Sequence, residues 1–274
     1  MIGFLKMVVR GVSRAASGTP ARIPVYVPVL QNELLKGRTA LITGGNGGIG
    51  FAIADAFLRA GAKVIISGRN KEKLNDAVTR LSSKGSVSCV QLDNTKPDSF
   101  GALLSEIGTF DILVNNAGYV GGGSFGNTSE SEYDAVLDTN LKGTYFLSQE
   151  VARCWTENDT HGNILNVCSA SSLRPGDSPY ILSKWGMRSL TVGMAKRLIK
   201  HGIVVNGIAP GITDTDRFTH GEKDIGKQSN PSGRMVTKEE IANMAVILVS
   251  PLCQMVVGDI LYMTGGGAIT TLDD

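Results

Sequence analysis

The stretch Thr39-Ala40-Leu41-Ile42-Thr43-Gly44-Gly45-Asn46-Gly47-Gly48-Ile49-Gly50 decides the fold. It begins as a short apolar β-type run and ends as a glycine-rich turn leading into a segment of helical period, residues 51–60. Such a turn lets backbone N–H groups approach a pyrophosphate at the positive end of a helix. Glycines there also serve tight packing alone, so the turn takes its meaning from the rest of the chain. The same alternation continues. Segments 63–67, 87–92, 111–115, 162–168, 203–209 and 259–263 read as six further strands, separated by helix-period stretches. Several are unbroken apolar runs, as parallel strands buried on both faces require.

Helix boundaries are written in the same way. Ser129 with Glu132 and Thr237 with Glu240 have capping-box spacing. Ser178-Pro179 offers an N-cap followed by a proline at the first helical position, and Gly61, Gly85 and Gly202 sit where glycine ends a helix. Alternating strands and helices imply right-handed βαβ units. The predicted fold is therefore α/β: one doubly wound parallel sheet of seven strands, a Rossmann fold, over residues 37–274, with a separate arm at 1–36.

Composition narrows the function. With 27 Lys+Arg against 25 Asp+Glu, the chain of 274 residues is too balanced for a dedicated nucleic-acid binder. No apolar run reaches the ~18 residues of a membrane span. Cys89, Cys154, Cys168 and Cys253 show no ligand spacing, which predicts buried, reduced thiols in a cytoplasmic setting, without a disulfide framework or a bound metal. Cofactor choice is read roughly 20 residues past the glycine turn, where a carboxylate would bond the ribose of NAD. Here stands Ser67-Gly68-Arg69-Asn70, with an arginine and no acid. A guanidinium suits a 2′-phosphate, so NADP(H) is expected over NAD(H), although Arg69 is also what a basic surface helix with Lys71 and Lys73 would carry.

Tyr180 and Lys184 are four residues apart on a helix starting near Pro179, so both project from one face. An ammonium close to a phenol stabilises the phenolate and lets it trade a proton near neutral pH. Ser169 lies just past the fifth strand, at the carboxyl end where doubly wound sheets hold ligands. Asn140, within a helix, offers a proton relay or a water ligand. In order, Thr43-Gly44-Gly45-Asn46-Gly47-Gly48-Ile49-Gly50, Asn115-Asn116-Ala117-Gly118, Asn140, Ser169, Tyr180-Ile181-Leu182-Ser183-Lys184 and Pro210-Gly211-Ile212-Thr213-Asp214-Thr215 resemble the short-chain dehydrogenase/reductase family from about residue 37 onward.

The resemblance implies an oxidoreductase interconverting a carbonyl and a secondary alcohol. Tyr180 would be the acid/base, Lys184 its partner and the holder of the nicotinamide ribose. Ser169 would polarise the substrate oxygen, and Asn140 would anchor a relay through Lys184. It implies cofactor contacts at Gly44, Asn46, Gly48, Ile49, Gly50, Arg69, Asp93, Asn94, Asn115, Ala117, Gly118, Pro210, Gly211, Thr213 and Thr215, and a homotetramer or homodimer. Asn115 and Asn116 have a plainer reading as ties between neighbouring strands. The Ser169–Tyr180 spacing is shorter than usual in the family, which leaves Ser171 as the rival of Ser169. Trp185 stands where a small residue is common.

The variable segment between Ile212 and Gly233 is rich in charge, with Asp214, Asp216, Arg217, Glu222, Lys223, Asp224 and Lys227. That favours a polar small-molecule substrate over a 3-oxoacyl thioester, unless those charges face only solvent. A dinucleotide-binding scaffold without turnover is the rival of a different kind, and would be expected to lack Tyr180 or Lys184. In the arm, Lys6, Arg10 and Arg14 form a basic stripe beside Leu5, Val8, Val9 and Val12. Such a helix suits packing on the domain, contact of residues 1–22 with a membrane surface, or organellar targeting.

Overall fold

Strand β1, Thr39–Thr43, runs through the middle of the sheet with all but its first residue buried. In the computed structural model, which describes residues 33–215 and 231–267, it is followed by α1 (Gly48–Arg59), β2 (Lys63–Gly68) and α2 (Lys71–Leu81). Next come β3 (Val87–Gln91), α3 (Phe100–Ile107), β4 (Ile112–Asn115), α4 (Glu130–Leu137) and α5 (Gly143–Glu157). The chain continues through β5 (Asn163–Val167), α6 (Pro179–Leu198), β6 (Val204–Pro210), β7 (Thr213–Asp214), β8 (Val236–Thr237), α7 (Lys238–Val249) and β9 (Ile260–Met263). The large sheet has the order β3-β2-β1-β4-β5-β6-β9, with every pair parallel. This is the doubly wound arrangement whose winding reverses beside β1.

Side-chain alternation along the strands builds two cores. Ala40, Ile42, Ile112, Val114, Leu165 and Val167 face α1, α2 and α7. Leu41, Leu113, Ile164 and Val205 point the other way, against Phe100 and Leu104 of α3 and Leu147, Val151 and Trp155 of α5. Each such side chain taken from water contributes about 1.5–3 kcal/mol, which explains why both parities of these strands are apolar.

The predicted caps form. Ser129 and Thr237 each close a capping box, and the Ser178 hydroxyl accepts the Ile181 N–H at the start of α6. Three details differ from the sequence reading. A separate two-stranded parallel ladder, β7 with β8, gives no signal at two residues per strand. Asn140 lies in a π-turn, Asp138–Lys142, that links α4 to α5. The cysteines are all free, but only Cys168 is buried; Cys89 sits on β3, which is an edge strand among the described residues. The arm's stripes and the charges at 216–230 lie outside the described residues. Among the described residues no helix is long and apolar enough to cross a membrane.

Candidate active site

The carboxyl ends of β1 to β6 open on one cleft of about 890 Å³. Its floor is the glycine turn. The Thr43 hydroxyl donates to Val114 O at 3.3 Å and accepts the N–H groups of Asn116 and Ala117 at 3.0 and 2.9 Å, so β1 and β4 are stitched where the turn begins. Asn116 Nδ2 donates to Thr43 O and Gly44 O, at 2.8 and 3.2 Å. Gly44 (φ +66°) and Gly48 (φ +53°) adopt the left-handed conformation that an L side chain resists. Helix α1 starts at Gly48 with no side-chain cap and no acid in its first turn. Its positive end therefore faces the cleft unneutralised, which fits a dinucleotide's phosphates.

At one end of the cleft, Asn46, Gly68, Arg69, Asn70 and Lys73 gather around the end of β2. The Arg69 carbonyl accepts Gln91 Nε2 at 2.8 Å, which fixes its peptide. Asp93 faces it from the end of β3. Burial pushes the Asp93 carboxyl up, but bonds from the Thr95 N–H and hydroxyl, with Arg69 and Lys96 nearby, outweigh burial and hold it below the ordinary carboxylate value.

At the other end stand Ser169, Ser171, Tyr180 and Lys184. Lys184 is buried, and its Nζ donates to Val167 O at 2.9 Å while lying 5.9 Å from the centroid of the Tyr180 ring. Ser169 Oγ accepts the Ser171 N–H at 3.1 Å, opening a short 3-10 turn that holds both serines at the cleft. Burial pushes the neighbouring Cys168 thiol up, against the pull of Lys184 and the Thr191 bond, so it remains a thiol. A polarising hydroxyl, a phenol and a buried ammonium beside an open helix N-terminus are the parts that proton exchange at a carbonyl or alcohol oxygen needs.

The model of the short chain dehydrogenase family matches residues 38–225. The chain belongs to the short-chain dehydrogenase family. It is 35% identical over 244 residues to gluconate 5-dehydrogenase of Gluconobacter oxydans, covering 85% of this chain and 95% of that one. It is 38% identical over 249 residues to 3-oxoacyl-[acyl-carrier-protein] reductase of Chlamydia muridarum, covering 86% and 100%. Among solved structures, L-sorbose reductase of Gluconobacter frateurii, complexed with NADPH and L-sorbose, superposes with a TM-score of 0.79 at 25% identity, over 87% of this chain and 100% of that one. An Agrobacterium tumefaciens protein assigned provisionally as a 2-deoxy-D-gluconate 3-dehydrogenase, with NADP bound, gives 0.79 at 33% identity over 86% and 98%. As a short-chain dehydrogenase the chain is an oxidoreductase acting on CH–OH and C=O groups with NAD(P).

Most of the predicted positions line this short-chain dehydrogenase's cleft: Gly44, Asn46, Gly48, Ile49, Arg69, Asp93, Asn94, Ala117, Gly118, Ser169, Tyr180, Lys184, Pro210, Gly211, Thr213 and Thr215. Three do not. Asn115 is buried, its Nδ2 shared between Ser148 Oγ and Asn166 Oδ1, both at 2.9 Å; it ties β4 to β5 and α5. Gly50 faces the turn from inside α1, where an added Cβ would collide with Asn116 Nδ2 and come within 2.5 Å of Gly44 O. Asn140 is buried behind the cleft. Its Oδ1 accepts the Tyr119 N–H at 2.7 Å, and its Nδ2 donates to Tyr119 O and Ser183 Oγ at 2.9 and 3.0 Å. Both amide hydrogens are spent, so the side chain has no donor left for a water and instead clamps the loop after β4 to α6.

Other lining residues escaped the sequence reading. Tyr119, Val120, Thr139, Arg174 and Thr264 are single positions on loops or element ends, without the periodicity or spacing that marks a motif. Asn116 had a signal, in the pair Asn115-Asn116, and it is the member that braces the glycine turn.

Proposed function

We propose that this short-chain dehydrogenase is an NADP(H)-dependent oxidoreductase that interconverts a carbonyl and a secondary alcohol on a polar small molecule. The observation that carries this is the buried Lys184 ammonium, held by Val167 O and placed under the Tyr180 ring in the cleft that ends on the open helix of the glycine turn. Gly44, Asn46, Gly48 and Ile49 would hold the pyrophosphate, Asp93 and Asn94 the adenosine, and Pro210, Gly211, Thr213 and Thr215 the nicotinamide end, with Ala117 and Gly118 along the cofactor. Bound there, the nicotinamide supplies or accepts the hydride. Tyr180 gives a proton to the substrate oxygen in reduction and takes it back in oxidation. Lys184 sets a positive charge beside the Tyr180 ring and would donate to the ribose. Ser169 donates to the substrate oxygen, aligned by its bond with the Ser171 N–H. Asn140 acts through position, holding Tyr119 and Ser183 in place.

The preference for NADP(H) is supported by the end of β2, where Arg69 and Lys73 line the cleft and Ser67-Gly68-Arg69-Asn70 offers no carboxylate to a ribose hydroxyl. Two similar structures, the L-sorbose reductase and the Agrobacterium protein, hold NADPH and NADP. A polar substrate is in keeping with the sugar-type substrates in those relatives' names. A panel of small carbonyls assayed by NADPH absorbance, repeated with NADH, tests the reading. Turnover of several polar carbonyls with NADPH is expected; a panel with none would overturn it.

The chain forms a homodimer or homotetramer in this reading. Tyr133, Tyr145, Phe146, Leu182 and Val192 on α4, α5 and α6, and Ile199 just past α6, are exposed, and a second copy would cover such apolar surface. Light scattering should give a mass of two or four chains, and a monomer would contradict it.

A further inference from the structure

The cleft carries a cation that neither the cofactor nor proton transfer employs. Arg174 lines it from the loop between β5 and α6, and among the described residues its guanidinium has no hydrogen-bond or ion-pair partner. Among the described residues, Arg69, Lys73, Asp93, Arg174 and Lys184 are the charged groups of the lining. Of these, Asp93 is the one carboxylate, and it stands beside Arg69. Arg69 follows β2 and Arg174 follows β5, with β1 and β4 between them. At ~4.8 Å per strand the ends of β2 and β5 are three spacings, or roughly 14 Å, apart.

Arg174 is exposed on its loop, and its backbone is held from both sides of the peptide, its N–H donating to Ser171 O at 3.4 Å. It is extended (φ −110°, ψ 136°), as a residue before proline prefers, and Pro175 follows. Its carbonyl accepts Trp185 Nε1 at 2.8 Å. The turn before it is held by Arg188 donating to Ser172 O at 3.3 Å, and by the Ser172 hydroxyl, which donates to Ser169 O at 2.7 Å and meets Tyr262 Oη at 3.2 Å. Arg188 also stacks over the Trp185 ring, 5.6 Å from its centroid. Trp185, unusual at its position, is thus a tether for the loop that carries Arg174. One 3-10 turn separates Ser169 from Arg174, a backbone span of about 10 Å at ~2.0 Å per residue, and both residues line the cleft.

We propose that Arg174 recognises a carboxylate on the substrate, which makes the preferred substrate a small oxo acid or hydroxy acid. The inference rests on the oxidoreductase reading above and specifies its substrate class. A guanidinium fork matches a carboxylate bidentately, and the bond is charge-assisted on both sides. Because the span from Ser169 is set between backbones, the test varies the number of bonds between carboxylate and reacting carbon.

The test compares straight-chain oxo acids, with the carbonyl at C2 through C5, against their methyl esters in NADPH-linked reduction. At least one acid should exceed its ester about tenfold in kcat/KM, chiefly through KM. Arg174→Ala should collapse that acid-to-ester ratio by about 10- to 100-fold, the range of a charge-assisted hydrogen bond, and Arg174→Lys should keep part of it. Calorimetric titration of the enzyme–NADP⁺ complex with the best acid gives a second readout, since Arg174→Ala should weaken binding by the same factor. Esters matching acids throughout in the wild type, or a loss in Arg174→Ala shared equally by acid and ester, would overturn the role of Arg174 while leaving the oxidoreductase intact. No turnover of any acid or ester while other polar carbonyls are reduced would overturn the carboxylate proposal alone, and no turnover of any carbonyl would overturn both.

Discussion

Replacing Gly50 by alanine tests how the glycine turn is built. An alanine Cβ at Gly50 would collide with Asn116 Nδ2 and approach Gly44 O to 2.5 Å. The second contact is backbone, so the strain cannot be relieved by swinging a side chain away. Overpacking of this kind costs about 1–3 kcal/mol. Displacing Asn116 also loosens its bonds to Thr43 O and Gly44 O, at roughly 1 kcal/mol each. Allowing for partial relaxation, the loss is about 2–4 kcal/mol, or a melting temperature lower by ~5–12 °C for a chain of this size. Gly47→Ala is the matched control: its added Cβ meets nothing within 4 Å, and its φ of −174° is extended backbone open to any residue. That variant should melt within about 1–2 °C of the wild type, as surface substitutions do. Thermal unfolding followed by circular dichroism reads both, and NADPH titration should show weaker binding for Gly50→Ala because the turn's carbonyls lose their brace. With room for the Cβ, alanine would instead raise helix stability by up to about 1 kcal/mol. A Gly50→Ala variant melting at or above the wild type would therefore refute the packing argument.

Cofactor choice and acid stability give two more tests. The wild type should prefer NADPH to NADH by at least ~10-fold in kcat/KM, about 1.4 kcal/mol, and Arg69→Asp should reverse the preference by setting a carboxylate against the 2′-phosphate; a wild type favouring NADH would reject the assignment of Arg69. The Glu240 carboxyl is pulled down to about 2, first by the Arg234 guanidinium and then by the Thr237 N–H, against a small push from burial. With the folded-state value lowered, its contribution to stability is complete above about pH 5 and is lost as the pH falls toward 2. Thermal melts should therefore show a smaller drop between pH 6 and 3 for Glu240→Gln than for the wild type, by a few degrees at most, since solvent screens this half-exposed pair; equal drops would count against it.

Much of this was legible in the chain itself, for identifiable reasons. Strands such as β1 and β4 are apolar at both parities because both faces of the sheet are covered, and their positions came out within a residue of the observed ones. Capping boxes at Ser129 and Thr237 are local chemistry and formed as read. Side-chain direction was harder. The motif around Asn115 marks a functional turn, yet the period of two puts Asn115 on the same side as Leu113, toward α5 and away from the cleft. Asn140 was recognisable as a position, but its partners Tyr119 and Ser183 come together only through tertiary packing. Arg174 had no local signal at all. A lone arginine on a loop reads as solvated until the sheet order places it in the cleft, three strands from Arg69.

In the proposed mechanism Tyr180 exchanges the proton with the substrate while other groups bind the cofactor. Tyr180→Phe separates these two roles when it is measured both for NADPH oxidation on the best carbonyl and for NADPH affinity by fluorescence titration. The substitution removes one oxygen and leaves the ring under which Lys184 Nζ lies at 5.9 Å. General acid/base catalysis contributes typically 10²–10⁴-fold, so kcat should fall by at least ~100-fold while the NADPH dissociation constant stays within about threefold of the wild type. Turnover retained within a few-fold would contradict the role of Tyr180 and the mechanism built on it.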